Sequence, residues 1–189
     1  MKNRCSWVLN DKTYIKYHDQ EWGVPVYDDD TLFTFLILET FQAGLSWITI
    51  LKKRENFNKA FDNFNYKKIS SYSQGKYEKL LNDSSIIRNK LKIKATITNA
   101  IAFIEIQKKY GSFSNYYWKF VDQKSIQNNF KTQNEVPTTS ELANKISKDL
   151  KKKGFKFVGP TIIYAFMQAT GMVNDHTTNC FRYKEVQNL

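Results

Sequence analysis

The stretch Asp28-Asp29-Asp30-Thr31-Leu32-Phe33-Thr34-Phe35-Leu36-Ile37-Leu38-Glu39 reads as the opening of a buried helix. Three acids stand where a helix N-terminus favours negative charge. Leu32, Phe35, Leu36 and Glu39 follow at three- and four-residue spacing, so they share one face. Glu39 therefore points inward with the apolar stripe. A carboxylate on a core face is costly unless something satisfies it. Nearby helix N-termini or a buried tyrosine would do so, and so would a ligand with hydrogen-bond donors or positive charge. Gly44 then interrupts the helix, and Trp47 comes three residues later.

Outward from this segment the periodicity stays helical. A second helix is predicted from about Ser46, with Ile48, Leu51, Phe57 and Phe61 inward. Tyr77, Leu80 and Leu81 mark a short helix. Ile93, Ile97, Ala100, Ile101 and Ile104 mark a long one ending near Tyr110-Gly111, and Phe113, Tyr117, Phe120 and Val121 suggest another. Pro137-Thr138-Thr139-Ser140 offers a cap before Leu142, Ile146 and Leu150, and Gly154 can stop that helix in the left-handed conformation. Gly159-Pro160 is expected to start the last helix, lined by Ile163, Phe166, Met167 and Thr170 and closed by Gly171. Three prolines and seven glycines are too few for a loop-rich β fold. The fold class is all-α.

At 189 residues the chain suits one domain or two small interleaved lobes. Hydrophobic residues make up 41%, enough for a core, and no apolar run approaches a membrane span. Twenty-nine Lys and Arg against 18 Asp and Glu leave a formal charge of +11, which favours a polyanion, most simply nucleic acid. The basic residues are grouped, as in Lys52-Lys53-Arg54, Lys67-Lys68, Lys108-Lys109 and Lys151-Lys152-Lys153, and most such groups are expected to be solvated helix faces. The run Arg88-Asn89-Lys90-Leu91-Lys92 differs, because it falls in the turn between two predicted helices. Backbone amides opening the second helix make a natural phosphate site.

The only two cysteines and two histidines lie at the chain's ends, as Cys5 and His18 and as His176 and Cys180. Cys-x12-His with His-x3-Cys supplies the ligand count of a closed tetrahedral zinc site. Spacing alone leaves alternatives open, since the half-sites are far apart and match no short finger. The histidines can be satisfied core residues. A disulfide is disfavoured, because Met1-Lys2-Asn3-Arg4 leads into no apolar signal segment and a cytosolic chain seldom carries one. If a metal binds, four protein ligands leave no open position for water, so its role is structural. Trp7, Tyr14, Tyr17 and Trp22 lie in the segment that such a site would fold back onto the body. With Trp47 and Glu39 they make an aromatic pocket with one acid, suited to a flat cationic ligand.

These segments carry a specific resemblance. Cys5-x-Trp7, Tyr17-His18-Asp19-x-Glu21-Trp22-Gly23-Val24-Pro25, Gln42-Ala43-Gly44-Leu45-Ser46-Trp47 and Lys52-Lys53-Arg54-Glu55 resemble the 3-methyladenine DNA glycosylase I family. So do Ile86-Ile87-Arg88, Lys153-Gly154-Phe155-Lys156-Phe157-Val158-Gly159 and Asn174-Asp175-His176, in order from Cys5 to Cys180. The resemblance implies a bacterial, cytoplasmic base-excision repair enzyme of the helix-hairpin-helix glycosylase superfamily. It implies a single glycosylase domain over 1–189, with a helix-hairpin-helix lobe at about 30–135 and a zinc-anchored lobe from about 1–29 and 136–189.

The resemblance also implies one structural zinc ion on Cys5, His18, His176 and Cys180. In the implied pocket Glu39 is the catalytic-site acid that accepts hydrogen bonds from the base, Tyr17 helps to hold it, Trp47 stacks on it, and Trp7, Trp22 and Tyr14 complete the wall. Gly44 and Leu45 approach the gap left in the duplex, and Arg88, Lys90 and Lys92 of the hairpin grip the backbone. The expected partner is double-stranded DNA with alkylated bases, the expected product is free 3-methyladenine, and the expected state is a monomer with no membrane association. The enzyme is expected to be a monofunctional hydrolase, since no lysine is placed by motif to form a Schiff base.

Three departures stand out. Thr40-Phe41 replaces a smaller or more polar pair, a change that can reach the pocket floor but not its acid. Leu91 stands where the hairpin usually has glycine, and Ser84-Ser85 replace another glycine-bearing stretch. The alternative reading is a non-catalytic helical zinc-containing DNA-binding module.

Overall fold

A computed structural model of the chain describes residues 2–8 and 10–189. Among the described residues ten α-helices follow one another: α1 (Lys12–Gln20), α2 (Asp29–Gln42), α3 (Trp47–Ala60), α4 (Tyr66–Ile69), α5 (Gln74–Asn82), α6 (Lys90–Tyr110), α7 (Phe113–Trp118), α8 (Glu141–Lys152), α9 (Pro160–Ala169) and α10 (Phe181–Gln187). The all-α expectation needs a small correction. Ile126–Gln127 (β1) and Val173–Asn174 (β2) form a two-residue parallel pair. None of the described helices is long and apolar enough to cross a membrane.

Helix α2 is the central strut. Its N-cap Asp28 accepts from the amide of Thr31 at 2.8 Å, the side-chain cap expected of a leading acid. Asp29 does something the sequence did not announce. It accepts from the amides of Phe113 and Ser114, both at 2.8 Å, and so anchors the start of α7 onto α2. Leu32, Phe33, Leu36, Ile37 and Phe41 are fully buried, so α2 is covered on nearly every side. Such all-round burial is why its apolar run exceeds one stripe.

Helix α6 packs beside α2, and α4 and α5 pack against α6. The α6 stripe differs from the predicted one. Ile101 is 48% exposed, while Ile93, Ala100, Phe103 and Ile106 face the core. Two apolar rows compete on this helix, and the one carrying Phe103 wins because Phe113 stacks on that ring while Phe33 meets it edge-on and Tyr66 at a tilt, at 4.3–5.1 Å centroid distances. Gly159-Pro160 opens α9 as expected, but α9 is not the last helix, since α10 follows it. Gly154, at φ +94°, ends α8 as predicted.

The termini meet over α9. Gly23 N donates to the Gln168 carbonyl at 3.1 Å, Val26 N to Thr170 O at 3.1 Å, and Phe181 N to Asn3 O at 2.9 Å. Gly171 has to be glycine here, because it sits at φ +69° and a Cβ would stand 2.4 Å from the Pro25 nitrogen. This close approach draws the aromatic N-terminal segment against α9 and beside α2.

Candidate active site

Four turns of helix bring the pocket together. Helix α1 carries Tyr14 and Tyr17, the last turn of α2 carries Glu39, and the first turn of α3 carries Trp47. The turn Ser6–Val8 brings Trp7. With Trp22 they line a cavity of about 390 Å³. That volume falls within the range of small-molecule sites, about 300–1,000 Å³. The rings meet edge to face or tilted: Trp7 lies 5.3 Å from Tyr14 and 5.1 Å from Trp22, and Tyr17 lies 5.5 Å from Trp47. Tyr14 is fixed by its hydroxyl, which accepts from the amide of Ile48 at 3.1 Å in the first turn of α3. One expected wall residue therefore also positions Trp47.

Glu39 is 3% exposed and lines this cavity. Among the described residues its carboxyl has no hydrogen bond or ion pair. Of the two sequence readings, satisfaction by a helix end or by tyrosine does not occur. Burial pushes the carboxyl up to about 8. This burial favours the protonated acid over the carboxylate. The cause is loss of water, and an arriving cation would return it to the ionised form. Burial also raises the Tyr17 hydroxyl, with Glu39 adding to the shift, so Tyr17 remains a donor.

The sequence reading missed Gln42, Ser46, Gln133, Ala165 and Gln168, which also line the cavity. Gln133 comes from a turn far along the chain and carries no motif. Its Oε1 is buried without a partner among the described residues, as is the indole nitrogen of Trp7. Thr40 and Phe41 do not touch the cavity, contrary to expectation. Phe41 packs on Phe57 at 4.7 Å and Phe61 at 5.8 Å, and the Thr40 hydroxyl donates to the Leu36 carbonyl.

Gly44 sits at φ +79° just past the end of α2 and Leu45 is 38% exposed beside it. An added Cβ at Gly44 would meet nothing within 4 Å, so the requirement there is conformational. Arg88 is exposed in the turn between α5 and α6, and Lys90 is exposed at the first position of α6. Lys92, expected on the DNA, is 5% exposed and points the other way. Its ammonium donates to the carbonyls of Phe41 at 2.8 Å and Ala43 at 2.6 Å, because the C-terminus of a helix leaves carbonyls without partners. Lys52-Lys53-Arg54 is only partly a solvated face, since Lys52 is exposed while Lys53 and Arg54 are half-buried. Lys52 pairs with Asp11 at 2.9 Å, Lys53 holds the Ser85 carbonyl at 2.9 Å, and Arg54 grips Glu21 with two bonds of 2.6 and 2.9 Å.

Cys5, His18, His176 and Cys180 are all buried, and their ligand atoms lie within 4.8 Å of one another. Cys180 Sγ stands 3.4 Å from His18 Nε2 and 3.6 Å from His176 Nδ1, and Cys5 Sγ stands 3.6 Å from His176 Nδ1. Sulfur and nitrogen ligands of one tetrahedral zinc ion would stand about 3.6 Å apart, given bonds of about 2.3 and 2.0–2.1 Å. The other ring nitrogens are engaged as ligand imidazoles require. His18 Nδ1 bonds Asp19 at 2.9 Å, and His176 Nε2 bonds the Trp22 carbonyl at 3.0 Å. Arg4 holds Asp19 with two bonds and keeps its carboxyl below the usual range. The thiols share a proton unequally. The hydrogen bond between them pushes Cys5 up, with burial adding to it, and drives Cys180 down, with both imidazoles helping. The donor set fits a divalent metal ion. These are free thiols rather than a disulfide.

Residues 7–183 match the methyladenine glycosylase family. The chain belongs to that family. It is 46% identical over 180 residues to DNA-3-methyladenine glycosylase 1 of Escherichia coli (strain K12), covering 95% of this chain and 96% of the relative. It is 44% identical over 180 residues to DNA-3-methyladenine glycosylase of Haemophilus influenzae, covering 95% and 97%. Among solved structures, 3-methyladenine DNA glycosylase I from Staphylococcus aureus, a study of 3-methyladenine recognition, superposes with a TM-score of 0.92 at 36% identity over 95% of this chain and 96% of that one. A crystal structure of 3-methyladenine DNA glycosylase I at 46% identity also gives a TM-score of 0.92, covering 95% and 98%.

Proposed function

We propose that the chain excises 3-methyladenine from alkylated DNA, hydrolysing the N-glycosidic bond and leaving an abasic site. The observation that carries this reading is Glu39, buried without a protein partner in a cavity walled by Trp7, Tyr14, Tyr17, Trp22 and Trp47. Polar groups are kept in that state when a ligand completes them.

A base methylated at N3 is cationic and already a good leaving group. The nucleotide must first leave the stack, at a cost of about a few kcal/mol, less for damaged bases. Trp47 then stacks on the cation, Tyr17 donates to the base, and Glu39 accepts from its N–H groups, ionising as the positive charge arrives. The C1′–N9 electron pair departs with the base, which becomes neutral. Water adds its oxygen to C1′, and its proton passes to solvent. Positive charge moves from base to sugar as the bond breaks, so a carboxylate at the base favours the bound substrate more than the transition state. Glu39 is thus a reader of the base rather than a nucleophile.

On the same reading, the turn between α5 and α6 is the hairpin of a helix-hairpin-helix. Arg88, Lys90 and the first amides of α6 face phosphates there, and Gly44-Leu45 meets the gap in the duplex. Cys5, His18, His176 and Cys180 would hold a zinc ion, which would tie the termini together and so fix Trp7, Tyr14, Tyr17 and Trp22 in the pocket wall. Its chemistry is structural, since the four protein ligands close it to water. The metal-anchored termini and the helix-hairpin-helix region form two lobes of one domain, working as a cytoplasmic monomer on double-stranded DNA.

The test is mass spectrometry of bases freed from methylated DNA. Release of 3-methyladenine by the intact chain, lost on Glu39→Gln with Trp47→Ala, is expected. Duplex binding with no base release would favour the non-catalytic DNA-binding module instead.

A further inference from the structure

Leu91 and Phe157 are large apolar side chains left 65% and 37% exposed. Together with Lys94, Ala95, Thr98 and Lys156 they line a shallow cavity of about 370 Å³ beside the start of α6. Phe157 is held outward by construction. Its neighbours Phe155 and Val158 are buried, while Phe157 itself lies at φ +55°, which side-chain-bearing residues seldom adopt. The loop is pinned on both sides of the ring. Buried Asn99 donates to the Lys156 carbonyl at 3.1 Å and accepts from its amide at 2.8 Å, and the Ser147 hydroxyl donates to Val158 O at 2.6 Å. Lys94 and Lys156 are exposed and make no ion pair among the described residues. The face adjoins the end of α2, since Lys92 of the same helical turn holds the Ala43 carbonyl next to Gly44 and Leu45.

An apolar pair rimmed by unpaired cations, with backbone strain maintained by buried hydrogen bonds, is not an idle surface. Deoxyribose rings are apolar and alternate with phosphates, so the backbone of duplex DNA complements both parts. The chain's charge of +11 points the same way. We propose that Leu91, Phe157, Lys94 and Lys156 form a further seat for the DNA backbone, sugars against the apolar pair and phosphates at the two ammonium groups. Leu91, the departure from the usual hairpin glycine, thereby adds a contact. This inference rests on the DNA-glycosylase reading above.

The experiment uses the intact chain, a duplex carrying a stable abasic-site analogue, methylated DNA and free 3-methyladenine. Phe157→Gly relieves the left-handed strain and removes the ring, and Leu91→Ala keeps a good helix former. Each is expected to weaken duplex binding and raise KM for methylated DNA about three- to tenfold through lost apolar contact, with kcat, Tm and affinity for the free base nearly unchanged. Lys94→Gln with Lys156→Gln is expected to reduce the slope of log K against log salt by about two. Unchanged duplex affinity and salt slope, with free base still bound, would overturn the seat while leaving the glycosylase reading intact. Wild-type protein that releases no base and binds no 3-methyladenine would remove the reading itself, and this inference with it.

Discussion

The ammonium of Lys92, on α6, donates to the carbonyls of Phe41 and Ala43 at 2.8 and 2.6 Å, and so closes the helix that carries Glu39. A lysine from the hairpin sequence thus acts as a helix cap rather than as a DNA contact. Lys92→Met is expected to leave two carbonyls without that donor and to cost about 2–3 kcal/mol of stability. Thermal unfolding reads this, and the salt slope of DNA binding should not change. A slope reduced by one would return Lys92 to the DNA.

The raised carboxyl of Glu39 makes stability depend on pH. Its folded value of about 8 lies above the ordinary 4.5. The favourable, protonated arrangement is fully present below about pH 4.5. It is lost progressively as pH rises towards 8, because the unfolded chain ionises first. Glu39→Gln should therefore stabilise the protein by a few kcal/mol at pH 8 and hardly at all at pH 4.5. Denaturant midpoints across that range check the trend, and an increment independent of pH would contradict it.

Cation binding should also move protons. Below pH 8, seating a positively charged methylated purine would release a proton from Glu39, and a neutral aromatic of the same size would not. Calorimetry in buffers of different ionisation enthalpy distinguishes the two. Equal proton release for both ligands would separate Glu39 from charge recognition.

Trp47→Ala removes a stacking face at the cavity wall. Stacking of a base on an aromatic ring contributes about 1–3 kcal/mol, so affinity for 3-methyladenine should fall about five- to 150-fold. Quenching of the remaining indoles, or competition against a labelled base, measures it. Undiminished affinity would place the base elsewhere.

Cys180→Ala, or a strong chelator, should lower bound zinc and stability together. Losing one ligand of a buried set should cost about 3–5 kcal/mol, and Tm about 10 °C. Pocket affinity should fall with it, because the termini supply the wall. Metal content by mass spectrometry alongside unfolding decides the matter, and a folded, metal-free wild-type protein with full affinity would end the structural role.

The pattern of α2 was legible in the sequence because local rules govern it. Acids precede an apolar stripe, Glu39 sits in register with that stripe, and a glycine ends the run. The Cys and His pairs were visible as a ligand set for the same reason, since residue type alone limits what they can do. Motif order from Cys5 to Cys180 carries the family's signature in sequence alone.

Other features depended on which surfaces meet. Lys92 looked like its basic neighbours, and only the position of the α2 terminus made it a cap. Ile101 fitted one apolar row, and the ring cluster around Phe103 chose the other. Gln133 entered the pocket from a remote turn without a motif. Above all, sequence determined that Glu39 faces inward, while tertiary packing determined its charge. Ionisation depends on the water and partners around a carboxyl, and the aromatic walls that exclude both arrive from helices distant in the chain.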